Sequence, residues 1–259
     1  MVRWLLPVWG LWWREMVRFV RQRSRVTGAL LQPLVFWLLL GGGLNASFKP
    51  SGLSEFSYVE YFYPGTIVLV LLFTAIFATI STVEDRKSGF LQGVLVAPVS
   101  RAAVVLGQVL GAATLATLQG TLMLCFSPLV GIHPSVGQLL LTLVVMLALA
   151  VALSGLGLSI AWRMDSTQGF HAVMNILLLP LWFLSGAVFP ITGAPRLISW
   201  LMVANPLMYG VAALRRSLYW GQLGASTDLP ALGIGLLVTG VFLAGTFALA
   251  VYSAARRSL

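Results

Sequence analysis

The sequence predicts an all-α membrane protein with six spanning helices. Of its 259 residues, 59% are hydrophobic and only 9% are charged, against roughly 25% charged in an ordinary soluble domain. The apolar residues gather into long runs, each sufficient to cross about 30 Å of hydrocarbon as a helix. No train of short alternating segments marks a barrel. The spans fall at about 26–44, 61–83, 102–130, 138–162, 170–190 and 230–255, the third over-long as drawn.

The basic residues set the orientation. With six spans the termini share a side with segments 84–101 and 163–169, and that side collects twelve Lys and Arg against four on the other. Cytoplasmic loops hold the excess of basic residues, so both termini are expected in the cytoplasm. The same bias accounts for the net charge of +9 without a nucleic-acid partner. The single cysteine, Cys125, lies in an apolar run and has no intrachain partner.

Residues 1–25 read as an interfacial helix. Arg14, Arg18, Arg21 and Arg25 recur at intervals of 4, 3 and 4, which stacks them in one narrow stripe. Trp9, Trp12, Met16, Phe19 and Val20 fall opposite. Such a helix lies at the cytoplasmic surface with its aromatics among lipid headgroups and its arginines toward phosphates and water; a plain positive-inside anchor is the alternative. Pro7 and the arginines that follow do not match a cleavable signal peptide.

The second span ends in four consecutive charges, Glu84-Asp85-Arg86-Lys87, opening the segment "VEDRKSGFLQGVLVAPVSR" (83–101). Phe90, Leu91, Val94 and Leu95 share one helical face, Pro98 stops the helix, and Ser100 is placed to cap the third span. A short cytoplasmic helix with a charged end suits a groove on a soluble subunit; a helix resting on lipid without a partner is the alternative. Gly107 and Gly111 form a small-x-x-x-small pair suited to close helix packing.

Segment 191–229 is expected outside, yet it is too apolar for a solvated loop and too broken by Pro195, Asn205-Pro206 and Gly210 for one span. Asn205 reads as an N-cap with Pro206 at the first helical position, and Leu207, Val211, Leu214 and Leu218 recur on one face. Two short helices re-entering the outer leaflet account for both features; a mis-split seventh span is the rival.

What drives the protein is expected to lie elsewhere. The middles of the spans carry no Asp, Glu, Lys or Arg, the groups that ion-coupled transporters and channels use at depth. Gln32, Gln108, Gln119, His171 and Asn175 read mainly as bonds between helices. His171 has no second ligand at metal spacing. Neither lysine, Lys49 or Lys87, sits in a phosphate-cradling loop.

The second and third spans and the segment between them closely resemble the permease subunits of ABC-type-2 exporters, and so does the stretch before the last span. Four features carry the resemblance in order: Pro64-Gly65 opening the second span, Glu84 to Gly89 at its end, "VLVAPVSR" (94–101), and "NPLMYGVAALR" (205–215). The resemblance implies six spans with both termini inside, an N-terminal interfacial helix, a coupling helix between spans 2 and 3, and outer re-entrant helices marked here by Asn205, Pro206 and Tyr209. It implies Glu84, Arg86, Gly89, Phe90 and Leu91 as coupling residues. The family pattern often sets Glu and Arg side by side, whereas Asp85 intervenes here. The implied partners are two copies of a cytoplasmic ABC ATPase subunit, a second permease copy as a homodimer, and membrane lipid. ATP and Mg2+ belong to the ATPase, with no cofactor on this chain. The implied work is export of a drug, glycolipid, lipo-oligosaccharide or polysaccharide across a bacterial plasma (inner) membrane, this chain being non-catalytic. A self-sufficient channel or secondary transporter is the rival; a membrane-embedded enzyme would show clustered His, Asp or Glu.

Overall fold

The computed structural model describes residues 2–21, 27, 31, 35, 37–44, 57–221 and 229–256, so part of the predicted first span, including Gln32, and Arg25 before it lie outside the described residues. Among the described residues the architecture is all-helical. Ten helices organise it: α1 (Val2–Arg21), α2 (Tyr58–Ala78), α3 (Ile80–Lys87), α4 (Phe90–Val96), α5 (Arg101–Leu124), α6 (Val136–Ala161), α7 (Thr167–Phe183), α8 (Arg196–Ala204), α9 (Pro206–Leu218) and α10 (Leu232–Arg256).

Among the described residues four helical rods are long and apolar enough to cross a membrane: α2 with α3 taken together, α5, α6 and α10. Helices α8 and α9 add a fifth candidate, bent by 79° at Asn205. Helix α7, at 17 residues, contains Pro180 and ends at Phe183, after which Gly186 (φ 75°) and Gly193 (φ 85°) turn the chain through left-handed backbone.

Serine caps set several helix starts. Ser57 and Glu60 form a reciprocal capping box on α2, and Ser135 and Gln138 repeat it on α6. Ser100 accepts from the Ala103 amide at 3.2 Å to begin α5, as the sequence predicts. The third predicted span is shorter than drawn because α5 stops at Leu124 and a separate turn of 3-10 helix, Ser127–Val130, follows.

Helix α2 is the axle of the fold. It packs against α5, α6, α7 and α9, and nearly all its side chains are buried, Tyr58 through Ala78. Gln108 donates to Thr82 at 3.1 Å and Thr74 bonds Gln119, so both glutamines join spans as read from the sequence. Apolar packing divides in two. One cluster surrounds α2; a second gathers Leu11, Leu91, Val104, Val105, Val109, Leu158, Trp162, Ala250 and Ala254 near the charged end of α3.

Candidate functional site

The charged end of α3 is where the sequence-derived candidates meet. Asp85 is 2% exposed and receives Arg14 through both guanidinium nitrogens and Arg18 through Nη2 at 2.6 Å. Two cations on one carboxylate is a strong, directional arrangement. Here it closes contacts 67 and 71 residues apart in sequence. The sequence expectation that the arginine stripe faces phosphates and water is corrected for Arg14 and Arg18: both turn inward to Asp85. Arg21 stays exposed. Within α1, Arg14, Arg18 and Arg21 do share a face, since helical spacing fixes which residues align; that spacing does not disclose a carboxylate folded against the face.

Beneath the stripe, α1 lies along α5. The side toward α5 comprises Val8, Leu11, Trp12 and Glu15, at intervals of 3, 1 and 3. Trp12 donates its indole N–H to Thr114 Oγ1 at 3.1 Å, so it faces protein, while Trp9 and Trp13 are exposed. Contact is possible because α5 offers glycines: a Cβ at Gly107 would stand 2.9 Å from Leu11 Cβ, and one at Gly111 2.9 Å from Glu15 Cβ. Glu15, buried between Arg18 and α5, has its carboxyl pushed above the ordinary glutamate range, chiefly by desolvation, with Arg18 opposing. Arg14 is raised in turn by its bond to Asp85.

The coupling candidates divide by what they touch. Arg86 donates Nη1 to the Trp162 carbonyl at 2.8 Å and lies 3.5 Å from Asp165. Trp162 caps the C-terminal end of α6, so a cation there meets a carbonyl that the helix leaves without a donor. Gly89 holds φ at 77° between α3 and α4, a left-handed conformation that resists a side chain. Phe90 is 39% exposed and lies under the Arg14 guanidinium at 3.7 Å, a cation–π contact. Leu91 is 1% exposed, inside the second apolar cluster. Glu84 is half-buried and Lys87 exposed. Asp85, which the sequence reading treats only as an interruption of the family pattern, is the residue that joins α1 to this end. The signal available for it was an acidic pair, Glu84-Asp85, at the end of an apolar span, against an excess of arginines upstream.

At the opposite end of the bundle, Asn205 caps α9 by accepting from the Leu207 amide at 3.0 Å and donates Nδ2 to the Leu181 carbonyl at 2.7 Å. Pro206 occupies the first position of α9, and Tyr209 donates to the Val203 carbonyl at 3.1 Å across the bend. The structure therefore gathers Asn205, Pro206 and Tyr209 at one corner, separate from the Asp85 cluster. Among the described residues no group of His, Cys, Asp or Glu is arranged to hold a metal.

Comparison with known proteins gives a match of residues 7–219 to the ABC-2 type transporter family. A Cyanophora paradoxa protein bearing the name transport permease ycf38 is 28% identical over 206 residues, covering 78% of this chain and 70% of that protein. Nodulation protein J of Rhizobium leguminosarum bv. viciae is 26% identical, covering 81% of this chain and 83% of its own length. Nodulation protein J of Sinorhizobium fredii is also 26% identical, with 91% and 87% covered.

Proposed function

Because this chain belongs to the ABC-2 type transporter family, we propose that it is the membrane-spanning permease of an exporter whose ATP is hydrolysed by a separate cytoplasmic ABC subunit. Two permeases and two ATPase subunits form the working unit, in a bacterial inner membrane with both termini of each permease cytoplasmic and six spans per chain. The cargo is amphipathic or lipid-linked: a drug, glycolipid, lipo-oligosaccharide or polysaccharide. ATP and Mg2+ bind the partner.

The observation that carries this reading is the Asp85 cluster. A short helix, α4, is held rigidly at the end of the central rod: by Arg14 over Phe90, by Leu91 in the apolar cluster, and by Gly89 at the corner. Force applied to α4 is thereby delivered to α3, and through α3 to α2, because Asp85 and Arg86 anchor the same segment to α1 and to the end of α6. An ATPase pressing on α4 would move the rod and change which side of the membrane the cargo path faces. In the dimer, the unpacked face of α7, with His171, Asn175 and Ile176 exposed, is the surface left for cargo or for the second copy.

The test is to purify the tagged permease in mild detergent and weigh its companions by mass spectrometry. A P-loop ATPase at one copy per permease is expected, with export in liposomes requiring ATP. Activity driven by an ion gradient in a preparation without ATPase would reject the reading in favour of a channel or secondary transporter.

A further inference from the structure

Helix α2 carries Pro64 in its second turn. Proline has no N–H, so the Glu60 carbonyl four residues earlier loses its helical donor. In a buried segment such a group demands another partner. Tyr219 provides one: its hydroxyl donates to the Glu60 carbonyl at 2.7 Å. One residue on, Arg215 donates Nη2 to the Tyr61 carbonyl at 3.0 Å and to the Gly186 carbonyl at 3.3 Å. Its guanidinium stands 4.0 Å from the centre of the Tyr61 ring. Arg215 and Tyr219 are four residues apart, at the C-terminal end of α9, and so share a face.

Arg215 is 1% exposed and forms no ion pair among the described residues. Burying a guanidinium without a counter-charge is costly, so its place is set by the carbonyls and the ring it engages. The turn preceding α8 is tied to the same stretch of α2. Tyr61 donates to the Gly186 carbonyl at 2.8 Å, Tyr58 to the Val188 carbonyl at 3.1 Å, and a Cβ on Gly65 would stand 2.7 Å from Ala187 Cβ. Pro64-Gly65 thus forms a socket within α2: the proline frees a carbonyl and the glycine admits a neighbouring backbone.

We propose that Arg215 and Tyr219 are positioning residues that fasten the bent pair α8–α9 to the proline-opened turn of α2, so that the pair and the rod move as one body. The consequence rests on the exporter reading: movement begun at Asp85 reaches the outer leaflet through α2 and carries the bent pair with it.

The fastening is tested on the whole permease in detergent, without ATPase, by a thiol at buried Ala213 of α9. In an Ala213→Cys, Cys125→Ser chain, reaction with a bulky polar maleimide reports how often α9 lifts. Tyr219→Phe is expected to raise the labelling rate about three- to tenfold, the worth of one hydrogen bond. In a Pro64→Ala background the restored backbone N–H takes over the Glu60 carbonyl, and Tyr219→Phe is expected to change the rate by less than about twofold. Equal increases in the two backgrounds would overturn the proposal, since loss of ring packing alone adds independently of Pro64. Arg215→Lys, which keeps the charge but not the fork, is expected to raise labelling as well; no rise with either Tyr219→Phe or Arg215→Lys overturns it too. Adding the cognate ATPase with trapped nucleotide then addresses the consequence separately. Unchanged labelling there overturns transmission to the outer leaflet, while the mutant cycle alone decides the fastening.

Discussion

Glu15 shows how one residue's chemistry bears on the seating of α1. The residue is 6% exposed, its carboxyl between Arg18 and Ser81 and its Cβ against Gly111, with Arg14 and Asp85 close enough to act on it. Burial raises its pKa more than the arginines lower it. The folded protein therefore holds this proton more tightly than the unfolded chain does. Stability from this group is fully present below the ordinary glutamate range and is lost as pH rises through the raised value. Glu15→Gln removes that loss. The variant is expected to melt about 1–3 °C higher than the parent at neutral pH, with the gap closing as pH falls below the ordinary glutamate range. Thermal unfolding of the detergent-solubilised protein across pH checks this, and a gap that does not depend on pH would refute it.

At the scale of elements, α1 and its bed on α5 show both what spacing discloses and where it stops. Positions 14, 18 and 21 share a face by helical geometry alone, and Gly107 with Gly111 announces a close approach. The identity of the approaching helix was not legible, because it depends on a contact about 96 residues apart, between Glu15 and Gly111. The same limit hid the role of Asp85. The capping residues Ser100 and Asn205, which act within a few residues of themselves, were legible, and so was the break between α8 and α9. Gly111→Leu tests the bed. Its side chain would occupy the volume of Glu15 Cβ and Cγ, so α1 has to lift, at a cost of roughly 1–3 kcal/mol for overpacking. Expected is a lower melting temperature and faster proteolysis between residues 2 and 21, with α2 to α10 still folded by circular dichroism. Undiminished protection of α1 would mean that α1 does not depend on this contact.

For the whole molecule, the division into two apolar clusters matters more than the number of spans. The larger cluster surrounds α2 and joins it to α5, α6, α7 and α9; the smaller joins α1, α4, α5, α6 and α10 near the charged end. Sequence composition made the membrane setting legible, but it gave no hint of this division, since every span is apolar on all sides and periodicity does not separate a lipid face from a buried one. Leu71 in the larger cluster and Leu91 in the smaller are both essentially inaccessible. Truncating either to Ala removes the same atoms and costs about 2–5 kcal/mol. If the smaller cluster is the joint that carries force from α4 into the rod, equal damage to stability has unequal consequences. With the ATPase present in liposomes, Leu91→Ala is expected to lower cargo exported per ATP hydrolysed at least about fivefold, an effect near 1 kcal/mol on coupling. Leu71→Ala, matched to it in melting temperature, leaves that ratio close to the parent's even where total flux falls. Loss of the ratio in both variants in proportion to their stability would make the smaller cluster simply more core, and would return α4 to the status of a helix resting on the membrane surface.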